Sequence, residues 1–388
     1  MDPGTGAVPP ENLVPDQKVQ FGVDNIDALK ESQIAGHNAG YHGTQQVSYQ
    51  PGPGIDLPLF DMKFSDVAIE VPDVVHNVIE LNKPIIKEPP FHVSPDDVDA
   101  LFDFVSKTDG NLRYQEAMAK DLVFNIMRSS IDRHKNRTSN WTLFNKSLHK
   151  NDKKPATVVG FHPLLNAKAK EHDTINTCIE RAKYIAEKAG DDHVWFVADQ
   201  DIYAPAQETI WTRGDQDVHF RLGGLHTSNV YMACIGDHIT DSELPQLWVK
   251  SEILSAGDAD KILQGRDYKL GLRIHKLTWQ AAWRMVMPQF IVYLEEAYKD
   301  LYTDITAMCT DEPPVEALLT RVNSPEFLEA LEKFITGKKN DKNFAFFWTY
   351  MDMVQVLLAF TRAQLSDDFK LHLNAFTHMP EHFYGNFQ

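Results

Sequence analysis

Two neighbouring stretches decide the fold, HVWFVADQDIYAPAQETIW at residues 193–211 and VHFRLGGLHTSNVYMACIG at residues 218–236. The apolar run at residues 193–198 is long enough for a buried strand and too short for a helix. A helix over residues 206–211 and a second strand over residues 218–222 follow. The unit therefore reads strand, helix, strand, and the second stretch ends in a further helix.

Polar residues follow both predicted strands at the same end. Asp199 comes directly after the first strand, and His226 follows Gly223 and Gly224 after the second. Ligands and catalytic groups collect at the carboxyl ends of strands in open α/β sheets. A strand-end aspartate also commonly caps a helix, and a histidine at a helix start is commonly held by a structural hydrogen bond. With these alternatives open, Asp199 and His226 are the candidate catalytic residues.

Composition limits the classes of function. The chain has 388 residues, enough for two domains, and a net charge of -17. That charge argues against a surface wholly adapted to DNA or to an anionic membrane, so any nucleic-acid site is expected to be local. Three widely separated cysteines and an N-terminus without signal-peptide features predict a nuclear or cytoplasmic protein that is not secreted. The apolar run at residues 344–360 predicts a buried helix and no membrane partner.

The chain divides into four segments by pattern. Residues 1–58 are rich in Pro, Gly and polar residues and predict a disordered tail, with at most a short helix over residues 25–33. Residues 59–154 predict an extended segment, two helices and a basic connector. Strands alternate with helices over residues 155–240, which indicates an α/β core. Residues 241–388 show only helical periodicity, so the fold class is α/β but predominantly helical, with a small sheet and a large all-α subdomain.

Two basic stretches are candidate nucleic-acid surfaces. In the first, basic side chains surround Trp141 and Phe144, a mixture that neutralises phosphates and stacks on bases. The second covers residues 265–276 and runs into a helix. The candidate nucleic-acid-binding residues are Arg133, Lys135, Arg137, Trp141, Lys146, Arg266, Lys269, Arg273 and Lys276. The alternative is a solvated connector whose Trp141 and Phe144 dock on the core, and a basic helix start paired with neighbouring acids.

Four blocks, in order, resemble a group of transposon-derived, largely uncharacterised animal proteins. The resemblance covers about residues 141–382 and conveys little about function. The blocks are DQDIYAPAQETIW (199–211), RLGGLHTSNVYMACIG (221–236), LQGRDYKLGLRIHKLTWQAAWR (263–284) and FFWTYMDMVQVLLAFTRAQLSDDFKLHL (346–373).

The order of a strand-end Asp, a helix, a strand and a His-containing turn also resembles the second acid region of Mutator-like transposases. Those enzymes have an RNase H-like fold interrupted by a helical insertion, and they place three acidic residues around two divalent metals. The resemblance implies an RNase H-like sheet, Asp199 as the second acid and a metal ligand, and Mg²⁺ or Mn²⁺ as cofactor. The sequence departs from the pattern, since Asn166 stands where relatives carry the first Asp. The third acid is expected beyond Gln388.

Two functions follow from these observations. The first is a catalytically silent, transposase-derived module that binds DNA or protein as a scaffold. The second is a metal-dependent nuclease or transposase remnant of RNase H-like type that uses Asp199. The first requires fewer special residues, and the sequence therefore favours a protein that is not an enzyme.

Overall fold

The structure is a computed structural model that describes residues 7–10, 12–30, 39–51, 78–90, 100, 110–130, 140–148, 157–309 and 314–385. The chain forms two compact units. Unit 1 comprises residues 1–92 and 152–226, and unit 2 comprises residues 93–151 and 227–388. This division falls after residue 226, whereas the sequence predicted a boundary after residue 240.

The described part of the chain contains five strands and thirteen named helices. The strands are β1 (Gln20–Lys30), β2 (Ala39–Pro51), β3 (Thr157–Phe161), β4 (Val194–Ala198) and β5 (Val218–Leu222). The helices are α1 (Gly110–Ser130), α2 (Trp141–Leu148), α3 (His172–Ala189), α4 (Gln200–Arg213), α5 (Gly224–Ile239), α6 (Leu244–Lys250), α7 (Ala256–Leu263), α8 (Tyr268–Ala297), α9 (Lys299–Met308), α10 (Val315–Val322), α11 (Pro325–Lys338), α12 (Lys342–Ser366) and α13 (Phe369–Gly385). This confirms a predominantly helical protein with a small sheet.

Unit 1 is built on one mixed sheet with the strand order β3-β2-β1-β4-β5. Strand β2 runs antiparallel to both of its neighbours, whereas β1, β4 and β5 are parallel to one another. On the inner face, Phe196 stacks on Phe220 at 4.3 Å and packs against Phe21 at 5.5 Å between ring centroids. Helices α3 and α4 contribute the apolar side chains that complete this core, among them Ile179 and Ile202.

The prediction of a disordered tail over residues 1–58 was wrong, because β1 and β2 lie within it and supply the middle of the sheet. The short helix expected over residues 25–33 was wrong for the same reason, since β1 extends to Lys30. Before β1 and along it, Val19, Phe21 and Val23 alternate with polar residues, which is the period of a half-buried strand.

Strand β2 cannot be recognised from alternating apolar residues, because its inner face is polar. Thr44, Gln46, Ser48 and Gln50 are all buried, whereas a typical strand would place apolar residues there. Their side chains form hydrogen bonds within the protein, which offset the hydrogen bonds to water that are lost on burial. The Gln46 amide donates to the carbonyl of Cys178 at 3.1 Å, and the Gln50 amide donates to two backbone carbonyls at 2.9 and 3.1 Å.

The segment at residues 78–90 lies along unit 1 without regular structure, as the sequence predicted. Backbone amides of Ile79 and Leu81 donate to the side chains of Thr177 and Asp173 on α3, at 2.8 and 2.7 Å. The helix predicted after Ser94 lies outside the described residues, except for residue 100, which is helical.

Every named element in the described residues of unit 2 is a helix. Its core includes the buried stretch Tyr350–Ala363 of α12, where Asp352 alone is exposed. Among the described residues, α12 is the one helix long and apolar enough to cross a membrane by length and composition, and 61% of its most apolar window is buried inside the protein. Helix α8 contains Pro288 and continues through it to Ala297.

Candidate functional site

The register of β1 and β4 brings a second carboxylate beside Asp199. These parallel strands pair Val23 with Ala198, and the next residues along them are Asp24 and Asp199. Val23 and Ala198 both face the core, being 5% and 3% exposed. Because side chains alternate between the faces of a strand and adjacent strands lie about 4.8 Å apart, Asp24 and Asp199 lie side by side on the opposite face.

Asp199 has one structural role that the geometry makes explicit. It is the N-cap of α4, and its Oδ1 accepts a hydrogen bond from the backbone amide of Ile202 at 3.0 Å. This is the capping role that the sequence left open. An ionised carboxylate has about four acceptor positions, so one capping bond leaves Oδ2 able to bind a cation.

Asp24, Asp199 and His226, which we call the rim site, line one cavity of about 520 Å³. The predicted placement of Asp199 and His226 at the same end of the sheet is therefore confirmed. His226 lies in the first turn of α5, and the backbone amide of Gly223 donates to the carbonyl of Ala198 at 2.9 Å. That hydrogen bond holds the glycine-containing turn against the end of β4.

The rim site brings oxygen and nitrogen donors to one cavity. Two carboxylates and an imidazole are oxygen and nitrogen ligands of the kind that Mg²⁺ and Mn²⁺ accept. Within the described ranges, no group of three or more His, Cys, Asp or Glu side chains is arranged to hold a metal ion. At most two of the three rim-site side chains could therefore share one cation, with water at its other positions.

Asp24 is the site residue that the sequence interpretation missed. The first acid was expected at the position of Asn166, which is exposed in the loop between β3 and α3 and does not line the cavity. The alternation of Val19, Phe21 and Val23 was the signal that could have revealed a strand carrying Asp24. It was overlooked because the surrounding residues are rich in Pro, Gly and Gln.

Trp141 does not offer a surface for base stacking, so its prediction as a nucleic-acid-binding residue was wrong. Its side chain is 2% exposed, and Phe144 beside it is 3% exposed. The indole N–H donates to the buried carboxylate of Asp121 at 2.6 Å. The guanidinium of Arg362 lies 5.3 Å from the indole ring centroid. The alternative reading, in which Trp141 and Phe144 dock on the core, is confirmed.

The other candidate cations fall into three groups. Arg133, Lys135 and Arg137 lie outside the described residues. Lys146, Arg266, Lys269 and Arg273 are exposed, as a phosphate-binding role would require. Lys276 is half-buried with its Nζ 5.4 Å from the Trp141 ring centroid, and burial together with the neighbouring Arg273 lowers its pKa.

Comparison with known proteins identifies a family whose function is unknown. Residues 140–386 match the family model described as Domain of unknown function (DUF8702). The match includes β3, β4 and β5 and every described helix from α2 onward, but it excludes β1 and therefore Asp24. No curated protein and no solved structure matches the chain.

Proposed function

The chain belongs to this family of unknown function, and from the rim site we propose that it is a transposase-derived protein with a metal-dependent, RNase H-like phosphodiester site. The observation that carries the proposal is the pairing of β1 with β4, which sets Asp24 beside Asp199 in one cavity. A single strand-end aspartate is commonly a helix cap, whereas two aspartates facing one cavity supply two of the oxygen ligands that a divalent cation takes.

The sheet topology supports the same proposal. The order β3-β2-β1-β4-β5, with β2 as the one antiparallel strand, gives the small sheet that the resemblance to RNase H-like transposases implies. Asp24 on β1 and Asp199 directly after β4 stand next to each other on adjacent parallel strands. Asp24 thereby takes the place for which the sequence offered only Asn166.

The residues have distinct roles in this proposal. Asp24 and Asp199 would hold Mg²⁺ or Mn²⁺, which activates water and stabilises the leaving oxygen when it is bound. Asp199 is fixed by its capping bond to α4, so its carboxylate is oriented before any ligand arrives. His226 is placed to take up a proton at the edge of the cavity. DNA would be the substrate, and the protein would be nuclear or cytoplasmic.

A second candidate is the catalytically silent binding module, which one observation favours. The described residues hold two acids at the rim and no third, whereas the two-metal mechanism uses three acidic residues around its metals. In this case the rim site binds a cation, and no phosphodiester is cleaved there. The two candidates differ in turnover and agree on cation binding.

The experiment combines a melting curve with a cleavage assay. Mg²⁺ or Mn²⁺ at about a hundred times its dissociation constant should stabilise the wild-type protein by about 2.7 kcal/mol. Asp24→Asn and Asp199→Asn should lose that response and still fold, because Asn serves as well as Asp at an N-cap. Asp201→Asn, an exposed acid in the first turn of α4, is the matched control and should keep it.

Cleavage of labelled DNA separates the two candidates. Loss of Mn²⁺-dependent cleavage in Asp24→Asn and Asp199→Asn, with Asp201→Asn active, supports the phosphodiester site. A metal-linked rise in melting temperature without cleavage by any of the proteins supports the silent module. A rise that is the same in all four proteins refutes both.

A further inference from the structure

Helix α8 in unit 2 is apolar on two opposite sides. Its inner side carries Trp279, Met287 and Phe290, all of which are buried. Its outer side carries exposed apolar residues at intervals of three or four, which places them on one face of the helix. These residues, which we call the α8 stripe, are Leu277, Ala281, Met285, Pro288 and Val292.

The α8 stripe is long and well exposed. Met285 at its centre is 73% exposed, and Leu277 and Val292 at its ends are 44% and 52% exposed. At 1.5 Å per residue, the stripe is about 22 Å long. A helix that is apolar all round is normally buried, and a continuous exposed apolar patch marks an interaction surface.

The charges beside the stripe identify the partner. Exposed Arg273 lies one turn before Leu277, and exposed Glu295 lies one turn after Val292 along the same flank. The beginning of α8 is basic, with Lys269 and Arg273, and its end is acidic, with Glu295 and Glu296. Such a helix is complementary to itself when it is reversed.

We propose that two copies of this chain pair antiparallel through the α8 stripe. With the two-fold axis beside Met285, Leu277 of one copy meets Val292 of the other. Arg273 then meets Glu295 of the other copy, and symmetry makes this contact twice. A parallel pair would place Arg273 beside Arg273 and Glu295 beside Glu295, which is unfavourable.

The pairing has a second consequence at the axis. Arg284 is exposed, precedes Met285 and lies on the same flank as Arg273. In the antiparallel pair, each Arg284 approaches its own symmetry mate, so two like charges weaken the dimer. The single stripe buries less area than a standard protein interface, so the dimer is expected to be weak and to form with rising concentration.

Sedimentation equilibrium of the full chain at rising concentration tests the proposal. The wild-type protein should pass from monomer to dimer. Met285→Glu should abolish the transition, whereas Leu247→Glu, at a 56% exposed leucine of α6, is the matched control and should preserve it. A protein that stays monomeric, or variants at Met285 and Leu247 that behave alike, overturns the proposal.

Exchanging the charges tests which residues of the two copies meet. The exchanged residues are exposed, so replacing them leaves the core intact. Arg273→Glu should weaken the dimer about tenfold, since it turns two attractive contacts into repulsive ones. The double variant Arg273→Glu/Glu295→Arg should restore it, and Arg284→Gln should tighten it. If Arg273→Glu reduces DNA retention without changing the dimer, the surface binds nucleic acid and the proposal fails.

Cross-linking decides between the two orientations. A short bismaleimide in a Cys309→Ser background should join two copies of a Met285→Cys variant, because these residues meet at the axis. Leu277→Cys should give no covalent dimer, since its two copies lie about 22 Å apart along the antiparallel helices. Equal cross-linking at both positions contradicts the antiparallel pair.

Discussion

The buried ion pair of Asp121 and Arg362 gives the sharpest prediction about stability. Both side chains are almost fully buried, at 0% and 3% exposure. Arg362 donates to Asp121, to Asn145 at 2.8 Å and to a backbone carbonyl of α1 at 2.7 Å. Asp121 also accepts from Trp141 and from Gln355, each at 2.6 Å. The network joins α1, α2 and α12 of unit 2.

Replacing Arg362 with Met leaves a buried carboxylate without its cation. A broken buried pair costs about 3 to 5 kcal/mol, a large part of a typical total stability of about 5 to 15 kcal/mol. The matched control is Arg113→Met, since Arg113 forms an exposed pair with Glu116 at 3.1 Å and should lose at most about 1 kcal/mol. Urea unfolding, with the slope compared between variants, measures both.

The double variant Asp121→Asn/Arg362→Gln extends the test. It replaces two charges with neutral hydrogen-bonding groups, so its cost should be smaller than the summed costs of Asp121→Asn and Arg362→Gln by at least about 1 kcal/mol. A cost below about 1 kcal/mol for Arg362→Met, or single costs that simply add, would refute the role given to this pair.

Three further predictions concern the buried interior. Trp141→Phe removes one buried hydrogen bond and should cost about 1 to 3 kcal/mol in urea unfolding, without lowering DNA retention. Burial lowers the pKa of His275 to about 4, below its unfolded value of about 6.5. The free energy of unfolding is therefore highest above about pH 6.5, where His275 is neutral in both states, and it falls by on the order of 3 kcal/mol towards pH 4. In His275→Gln, the unfolding midpoint should fall less steeply over this pH range. A Cβ on Gly236 would lie 2.0 Å from the carbonyl oxygen of Leu263, so Gly236→Ala should cost more than about 2 kcal/mol in thermal unfolding. Gly337→Ala, with nothing within 4 Å, should cost nothing.

The elements that the sequence predicted well have apolar faces matching their period. Strand β4 is a short apolar run that ends at Asp199, and in β5 Val218, Phe220 and Leu222 alternate with polar residues before Gly223. Helix α3 has apolar residues at helical spacing, and Gly190 ends it in the left-handed conformation at φ 76°. In both cases local pattern and tertiary packing agree.

The sequence did not reveal the elements that pack through polar side chains or against residues far away in the sequence. Strand β2 places Gln46 and Gln50 against the core, and the partners of these side chains are fixed only after the chain folds. Asp24 was missed with it, because its neighbour Asp199 follows it by 175 residues in the sequence. The role of Trp141 depended on Asp121, which no local pattern connects to it. Proline does not mark the helix boundary here, since the junction between α8 and α9 at Tyr298 has no proline and Pro288 lies inside α8.

A crystal of the protein soaked in Mn²⁺ tests the rim site most directly. Anomalous diffraction should show one peak with a carboxylate oxygen of Asp24 and one of Asp199 each about 2.0 to 2.3 Å away. The peak should vanish in Asp24→Asn. Strands β1 and β4 paired as described but with no manganese between the two aspartates, or with the ion bound elsewhere, would contradict the proposed cation site.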